Sequence, residues 1–194
     1  MKRRWAIAVG AAAILGLGAF YYSGSTQFAA IDHCLQSGRA WEYRTNRCQA
    51  VPAGPVDRMI VDKSDRRLQA FRDGELVREF RVALGSGGLA PKQGQGDGRV
   101  PEGAYLITYH NAASSYHRSL RIGYPTAEQV TAARAAGIDP GSDIMIHGLP
   151  NGMGSIGSRH TLRDWTEGCI AVTNAEMDWL FAAVADGTPV EIRA

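Results

Sequence analysis

The class of fold is decided by the stretch Leu68-Gln-Ala-Phe-Arg-Asp-Gly-Glu-Leu-Val-Arg-Glu-Phe-Arg-Val-Ala-Leu84. Apolar and polar residues alternate on both sides of Asp73-Gly74, and an Asp-Gly pair between two such runs is a strong signal for a β-hairpin. The run Arg58–Asp62, just upstream, is also rich in strand-forming residues. The sequence therefore predicts a domain that begins with β-strands joined by tight turns.

Further strands and two helices are predicted downstream. Val100–Tyr109 and Pro189–Arg193 have strand composition, whereas Ala127–Gly137 and Asn174–Asp186 have helical composition. Glycine at position 137 is a plausible C-terminal cap for the first helix. We therefore expect a mostly β domain with two helices, an α+β fold.

The second of these helices has the clearer pattern. We expect it to open at Asn174 and to close near Gly187, since asparagine and glycine are typical of helix starts and ends. Its predicted buried face consists of residues that repeat at helical spacing. These are Met177, Leu180, Phe181 and Val184.

The segment Gly85–Gly98 is rich in glycine and is predicted to be a flexible surface loop. A glycine-rich loop can also bind phosphate, but this one lacks the Gly-Lys-Ser/Thr ending of such loops. A mobile lid over a site or a plain surface loop is therefore the favoured interpretation.

The N-terminus has the pattern of an export signal. Lys2-Arg3-Arg4 precede the uncharged, mostly apolar run Trp5–Tyr22. This run is short for a membrane span, which needs about 20 residues, and it equally resembles a secretory signal. No clear small-residue cleavage site follows, so an uncleaved anchor is favoured. We expect residues 1–24 to be a signal anchor or signal peptide, and the protein to be periplasmic, either anchored to the inner membrane or secreted.

Two of the three cysteines lie close together in a polar segment. Outside the reducing cytosol Cys34 and Cys48 are expected to form a disulfide, which is worth roughly 3 kcal/mol for a loop of this size. Ser23–Gln27 reads as a polar linker, and the prolines and glycine of Val51–Pro55 mark a boundary. Residues 25–55 are therefore predicted to be a linker and a cysteine-stapled segment, and residues 56–194 the main domain.

Composition excludes several classes of function. The chain has 194 residues, of which 45% are hydrophobic and 21% charged, with a formal net charge of +2. These values fit one ordinary domain with accessory segments. The basic residues form no stripe interleaved with aromatic residues, so nucleic acid is not an expected partner. The closely paired ligands of structural zinc sites are also absent, and we expect neither a metal nor another cofactor.

The third cysteine, Cys169, remains unpaired, which marks it as a candidate reactive thiol. It lies in Trp165-Thr-Glu-Gly-Cys-Ile170, just before a predicted helix, and His147 ends the apolar run Asp143-Ile-Met-Ile-His147. A thiolate is the nucleophilic form, and a helix N-terminus or an imidazole can favour it. Backbone N–H groups around Gly168 and Cys169 are candidate donors to an oxyanion. A buried structural cysteine and a core histidine are the alternative interpretation.

These residues resemble the L,D-transpeptidase catalytic domain family. That family has a His-Gly, a spacer of somewhat under twenty residues, then Ser/Thr-His-Gly-Cys, and an asparagine shortly after. Here the pattern corresponds to His147-Gly148, Thr166-Glu-Gly-Cys169 and Asn174. Upstream, Ile60–Leu68 and Gly96–Gly103 are similar to the family's opening hairpin and its proline-glycine turn. The resemblance covers about residues 56–194 and implies a β-sandwich or barrel.

Roles for individual residues follow from the resemblance. It implies that Cys169 is the nucleophile, that His147 is the general base, and that the backbone carbonyl of Gly148 orients the imidazole. It also implies that Gly168 lies beside the oxyanion hole and that Thr166 occupies the Ser/Thr position. His117 is a further candidate for the substrate cleft, although a surface-loop position is equally compatible with the sequence. His160 is predicted to have no catalytic role.

The implied activity is cysteine-dependent acyl transfer on peptidoglycan stem peptides. Two positions depart from the family pattern: Glu167 replaces its histidine, and Ala171 stands where an arginine is common. A carboxylate beside the thiol raises the pKa of that thiol unless it is paired or points away. Hydrolysis of stem peptides, or of a protein attached to the wall, and a non-catalytic wall-binding module therefore remain alternative hypotheses.

Overall fold

The computed structural model describes residues 24–194 and has a mostly β architecture with four helical segments. The strands are β1 (Ala40–Glu42), β2 (Arg47–Gln49), β3 (Arg58–Asp62), β4 (Arg67–Arg72), β5 (Glu75–Arg81), β6 (Gly103–Asn111), β7 (Ser119–Ile122), β8 (Met145–His147), β9 (Ile170–Ala171) and β10 (Pro189–Arg193). The helices are α1 (residues 24–36), α2 (Ala127–Ala135) and α3 (Asn174–Ala183), and Gly154–Leu162 forms a 3-10 segment. The predicted α+β class is confirmed.

Eight of the strands form one curled sheet. Their order is β5-β4-β3-β10-β6-β7-β8-β9, while β1 and β2 form a separate two-stranded ribbon. The hairpin across Asp73-Gly74 pairs β4 with β5 in antiparallel fashion, as predicted. Just beyond β5, Ala83 exchanges backbone hydrogen bonds of 3.0 and 2.8 Å with Ala171 in β9. The two edges of the sheet therefore meet, and the sheet closes into a half-barrel.

The hydrophobic core lies inside this curve. Met59, Leu68, Phe80, Ile107 and Ile146 are among its fully buried side chains. They alternate with outward-facing residues along their strands, as expected for a sheet with one buried face. The hydrophobic effect of closing the sheet over this core holds β8 and β9 side by side.

Three of the four residues predicted to form the buried face of α3 are buried in the core. Met177, Leu180 and Val184 are buried, whereas Phe181 is half-buried and packs edge-on against His110, with 4.9 Å between ring centroids. The helix begins at Asn174, as predicted. Thr173 is the N-cap, and Thr173 and Glu176 form a reciprocal capping box.

Helix α2 also begins with a capping box, between Thr126 and Gln129. Its regular part ends at Ala135, and Gly137 follows with a φ of 66°, the left-handed conformation that glycine favours after a helix. The predicted helix is therefore confirmed with slightly shorter bounds.

The prediction of a polar linker at Ser23–Gln27 is wrong for residues 24–27, because these residues belong to α1. This helix buries Ile31 and Leu35, and the disulfide between Cys34 and Cys48 ties it to the β1–β2 ribbon. The ribbon packs on β5, where the guanidinium of Arg81 lies 5.1 Å from the ring centroid of Tyr43. The cysteine-stapled segment thus rests on the main sheet.

The segment Gly85–Gly98 is a surface loop, as predicted, and backbone hydrogen bonds tie its two ends to the protein. Ser86 N–H donates to Thr166 O at 2.9 Å, and Gly87 N–H donates to Gly98 O at 2.9 Å. A Cβ atom at position 85 would lie 2.0 Å from Gly98 O. Glycine at position 85 therefore permits the close approach that holds this loop beside the turn before Cys169.

The predicted signal anchor or signal peptide, residues 1–24, lies almost entirely outside the described residues. Among the helices of residues 24–194, none is long and apolar enough to span a membrane.

Candidate active site

Strand pairing brings the predicted cysteine and histidine together. His147 ends β8, and Cys169 immediately precedes β9, its parallel neighbour, with His147 opposite Ala171 in the register. Both side chains line one cavity of about 310 Å³. Two residues that are 22 positions apart in the sequence thus share a pocket because their strands are adjacent.

A hydrogen-bonded turn presents Cys169. The hydroxyl of Thr166 donates to Cys169 O at 2.7 Å and accepts from Gly168 N–H at 3.3 Å. Gly168 has a φ of 120°, and a Cβ atom there would lie 2.8 Å from Arg99 O. Only glycine fits this backbone conformation and this close approach. Thr166 and Gly168 therefore shape the turn that carries the thiol.

The Cys169 thiol is held in its protonated form. Burial raises its pKa, the charges of Asp143 and Glu167 add to the increase, and the N–H of Met145 and the charge of Lys92 oppose it. The Sγ atom lies 3.6 Å from Asp143 O, a weak thiol hydrogen bond. The helix expected directly after Cys169 is displaced, because β9 intervenes and α3 begins only at Asn174. Cys169 therefore does not lie in the first turn of α3, where the helix dipole would favour a thiolate most strongly.

The His147 imidazole has a defined tautomer. Its Nδ1 atom lies 2.7 Å from Gly148 O. Because a carbonyl oxygen only accepts hydrogen bonds, Nδ1 carries the proton and Nε2 is the free acceptor. Burial lowers the pKa of His147, and the bond to Gly148 opposes this decrease. The ring is therefore neutral at neutral pH and can accept a proton at Nε2.

Gly148 is itself fixed by its surroundings. Its N–H donates to Tyr116 O at 3.1 Å and Arg118 O at 3.2 Å. The next N–H, of Leu149, donates to Asn174 Oδ1 at 2.8 Å. A Cβ atom at position 148 would lie 2.8 Å from the same Asn174 Oδ1. The carbonyl that orients His147 is thus anchored to two neighbouring segments.

Two aromatic residues that sequence reasoning missed surround the imidazole. The ring centroid of Tyr116 lies 4.6 Å from that of His147, and the centroid of Trp165 lies 5.7 Å from it. Both side chains line the cavity with Cys169. Each is a direct sequence neighbour of a predicted site residue, His117 or Thr166, and that proximity was the available signal.

Two further histidines considered from the sequence, His117 and His160, differ in their surroundings. His117 does not line the cavity with Cys169: its Nε2 lies 2.8 Å from Asp178 Oδ1 on α3. His160 is buried, and burial together with nearby His147 lowers its pKa to about 4. Across residues 24–194 no three His, Cys, Asp or Glu side chains form a group that could hold a metal ion.

The fold and the site define a mostly β domain in which a cysteine and an oriented histidine share a cavity, the arrangement that thiol-dependent acyl transfer requires. Residues 57–192 match the family model of the L,D-transpeptidase catalytic domain, and the chain belongs to this family. The resemblance inferred from the sequence motifs is confirmed.

Similar proteins agree with this assignment. The Escherichia coli K12 protein named "Putative L,D-transpeptidase YafK" is 35% identical over 142 residues, which are 70% of this chain and 50% of YafK. The chain therefore spans about half the length of this relative.

Two solved structures share the fold. The helical cell shape determining protein Pgp2 from Campylobacter jejuni has 23% identity and a TM-score of 0.53, with 72% of this chain and 48% of that one covered. Bd1075 from Bdellovibrio bacteriovorus has 22% identity and a TM-score of 0.51, with 80% and 51% covered.

Proposed function

We propose that this protein is a cysteine acyltransferase that acts on peptidoglycan stem peptides through Cys169. One observation carries the proposal: Cys169 and His147 line the same cavity, and the Nδ1 atom of His147 is fixed on Gly148 O at 2.7 Å. That arrangement leaves Nε2 as the base. Membership of the family supports peptidoglycan as the substrate.

The reaction begins from a neutral thiol and a neutral imidazole. The Sγ proton moves to Nε2 of His147 as the sulfur attacks the carbonyl carbon of a stem peptide. The carbonyl oxygen becomes an oxyanion, for which the N–H of Cys169 is the proposed donor, since the Gly168 N–H already approaches Thr166 Oγ1. Nε2 then protonates the leaving amine, the C–N bond breaks, and a thioester remains on Cys169.

The acyl group next passes to an acceptor, with His147 as the base that removes the acceptor's proton. The proposed donor bond joins the L-configured centre of a stem peptide to a terminal D-alanine. The proposed acceptor is an amine of a second stem or of a free D-amino acid. Glu167 lines the cavity and adds negative charge where the family has histidine, so transfer to water is the competing reaction.

We further propose that residues 1–24 direct the protein to the periplasm and anchor it in the inner membrane, close to this substrate. A protein linked to the wall is proposed as an additional substrate. The residues from 25 to 55 are proposed to support the catalytic domain, since α1 and the β1–β2 ribbon pack on it.

The test is incubation of the full chain with disaccharide-tetrapeptide and a labelled D-amino acid, with products identified by mass spectrometry. Exchange of the terminal D-alanine for the label, lost in Cys169→Ala, is the expected result. Tripeptide without label, again lost in Cys169→Ala, would indicate a hydrolase instead. A Cys169→Ala variant with full activity on any muropeptide would refute the proposal.

A further inference from the structure

A second cavity adjoins the first and shares one wall with it. Its volume is about 610 Å³, and Trp165 lines both cavities. Such a volume is typical of sites for small molecules. Its apolar walls include Leu149, Ile156 and Trp165, and its rim includes Met153 and Leu162, which are 48% and 70% exposed. Apolar side chains thus extend from the interior of the cavity to the solvent.

His160 and Trp165 form part of the wall of this cavity. His160 is only 6% exposed, yet neither ring nitrogen has a hydrogen-bond partner within residues 24–194. The indole N–H of Trp165, in the same cavity wall, is also without one in that part of the chain. All three nitrogens are closed off from solvent, so the two rings present carbon atoms rather than hydrogen-bonding groups to the cavity.

Two arginines give the cavity a positive charge. Arg159 and Arg163 line it, and neither guanidinium has a hydrogen bond or an ion pair in the described part of the chain. Most other arginines near the sheet are engaged: Arg66, for example, pairs with Asp164 at 2.9 Å. The guanidinium groups of Arg159 and Arg163 are therefore available for an anionic ligand, and guanidinium suits a carboxylate particularly well.

We propose that this cavity is a second ligand-binding site for a small amphipathic carboxylate, with its apolar chain or ring against Leu149, Ile156 and Trp165 and its carboxylate on Arg159 and Arg163. The proposal goes beyond the acyl-transfer function, because no step at Cys169 uses Arg159, His160 or Arg163. A fatty acid and an acylated apolar amino acid share this chemistry.

The test is a comparison of probes that differ only in their polar head. Octanoate, octylammonium and octan-1-ol are titrated into the full chain by isothermal calorimetry, and N-acetyl-phenylalanine serves as a second carboxylate. We expect octanoate to bind more tightly than the amine and the alcohol. Which of the two carboxylates binds more tightly distinguishes a fatty acid from an amino-acid ligand.

Matched variants locate the binding. Replacing both arginines, Arg159→Gln with Arg163→Gln, is expected to weaken octanoate roughly tenfold and to leave octan-1-ol unchanged. Arg134→Gln on α2 is the control, since it removes the same charge from a residue that does not line this cavity.

Three results would overturn the proposal. These are equal binding of all head groups, octanoate binding that the double arginine variant does not change, and an absence of octanoate binding in the millimolar range. Thermal melting of each variant, followed by circular dichroism, distinguishes a lost site from a lost fold.

Discussion

The carboxylate of Asp32 in α1 accepts a hydrogen bond from the backbone N–H of Ser158, 126 positions later in the sequence, at 2.7 Å. A Cβ atom on the adjacent Gly157 would lie 2.4 Å from Asp32 Oδ2, so the fit between the helix and the 3-10 segment is close. The 3-10 segment contributes His160 and ends a few residues before the turn that carries Cys169. Helix α1 thus holds the 3-10 segment in place, and this segment lies in the sequence between His147 and Cys169.

Removing this contact should weaken the domain. Asp32→Ala leaves the Ser158 N–H without its acceptor, at an expected cost of about 1–3 kcal/mol in the free energy of unfolding. Urea denaturation followed by circular dichroism measures it. Asp65→Ala is the matched control, because the Asp65 side chain has no hydrogen bond or ion pair within residues 24–194. Equal stability of the two variants would show that α1 does not support the segment.

The pH dependence of catalysis should reflect a neutral imidazole at His147 and a neutral thiol at Cys169. The pKa of His147 lies below its usual 6.5, and the pKa of Cys169 lies above its usual 9.0. Protonated His147 cannot accept the Sγ proton, so kcat/KM should fall only in acid below pH 6.5 and stay level through the neutral range.

Alkylation of the thiol checks the other partner. Iodoacetamide reacts with the thiolate, so labelling of Cys169 should rise with pH towards an inflection above 9.0. Cys34 and Cys48 form a disulfide and do not interfere under non-reducing conditions. Labelling that is already maximal at neutral pH would contradict this expectation and indicate a preformed thiolate–imidazolium pair.

The charge of Glu167 should modulate the thiol. It is one of the groups that raise the pKa of Cys169, so Glu167→Gln should lower that pKa. The expected result is alkylation of Cys169 at neutral pH that is roughly two- to fivefold faster, an effect reduced by added salt because Glu167 is exposed. Glu167→Asp keeps the charge and should retain the original rate. An unchanged rate in Glu167→Gln would mean that solvent screens the carboxylate completely.

The turn that presents Cys169 should depend on the hydroxyl group of Thr166. Thr166→Val keeps the side-chain shape but removes the group that joins Cys169 O to Gly168 N–H. Because both backbone groups then lose a partner in a buried position, we expect a loss of about 1–3 kcal/mol in stability and a lower kcat. Thr166→Ser retains the hydroxyl and should preserve both values. Thermal melting and the D-amino acid exchange assay give the two readings.

Much of the fold was predictable because its signals are local. The alternation on both sides of Asp73-Gly74 specified a hairpin, and the apolar spacing after Thr173 specified a helix. The start of α3 at Asn174 was also predictable, whereas its N-cap was not, because threonine and asparagine are both good N-caps and Thr173 is distinguished by its capping box with Glu176.

Sequence alone determined the β-rich class of fold, the family and the pair Cys169 and His147, because these depend on short-range pattern and on motif spacing. Tertiary structure alone decided that β8 lies beside β9, that Tyr116 and Trp165 surround the imidazole, and that His117 turns to Asp178. It also decided that the glycine-rich loop is held in place. Each of these depends on contacts between segments distant in the sequence, and no local pattern encodes which distant segment a residue will contact.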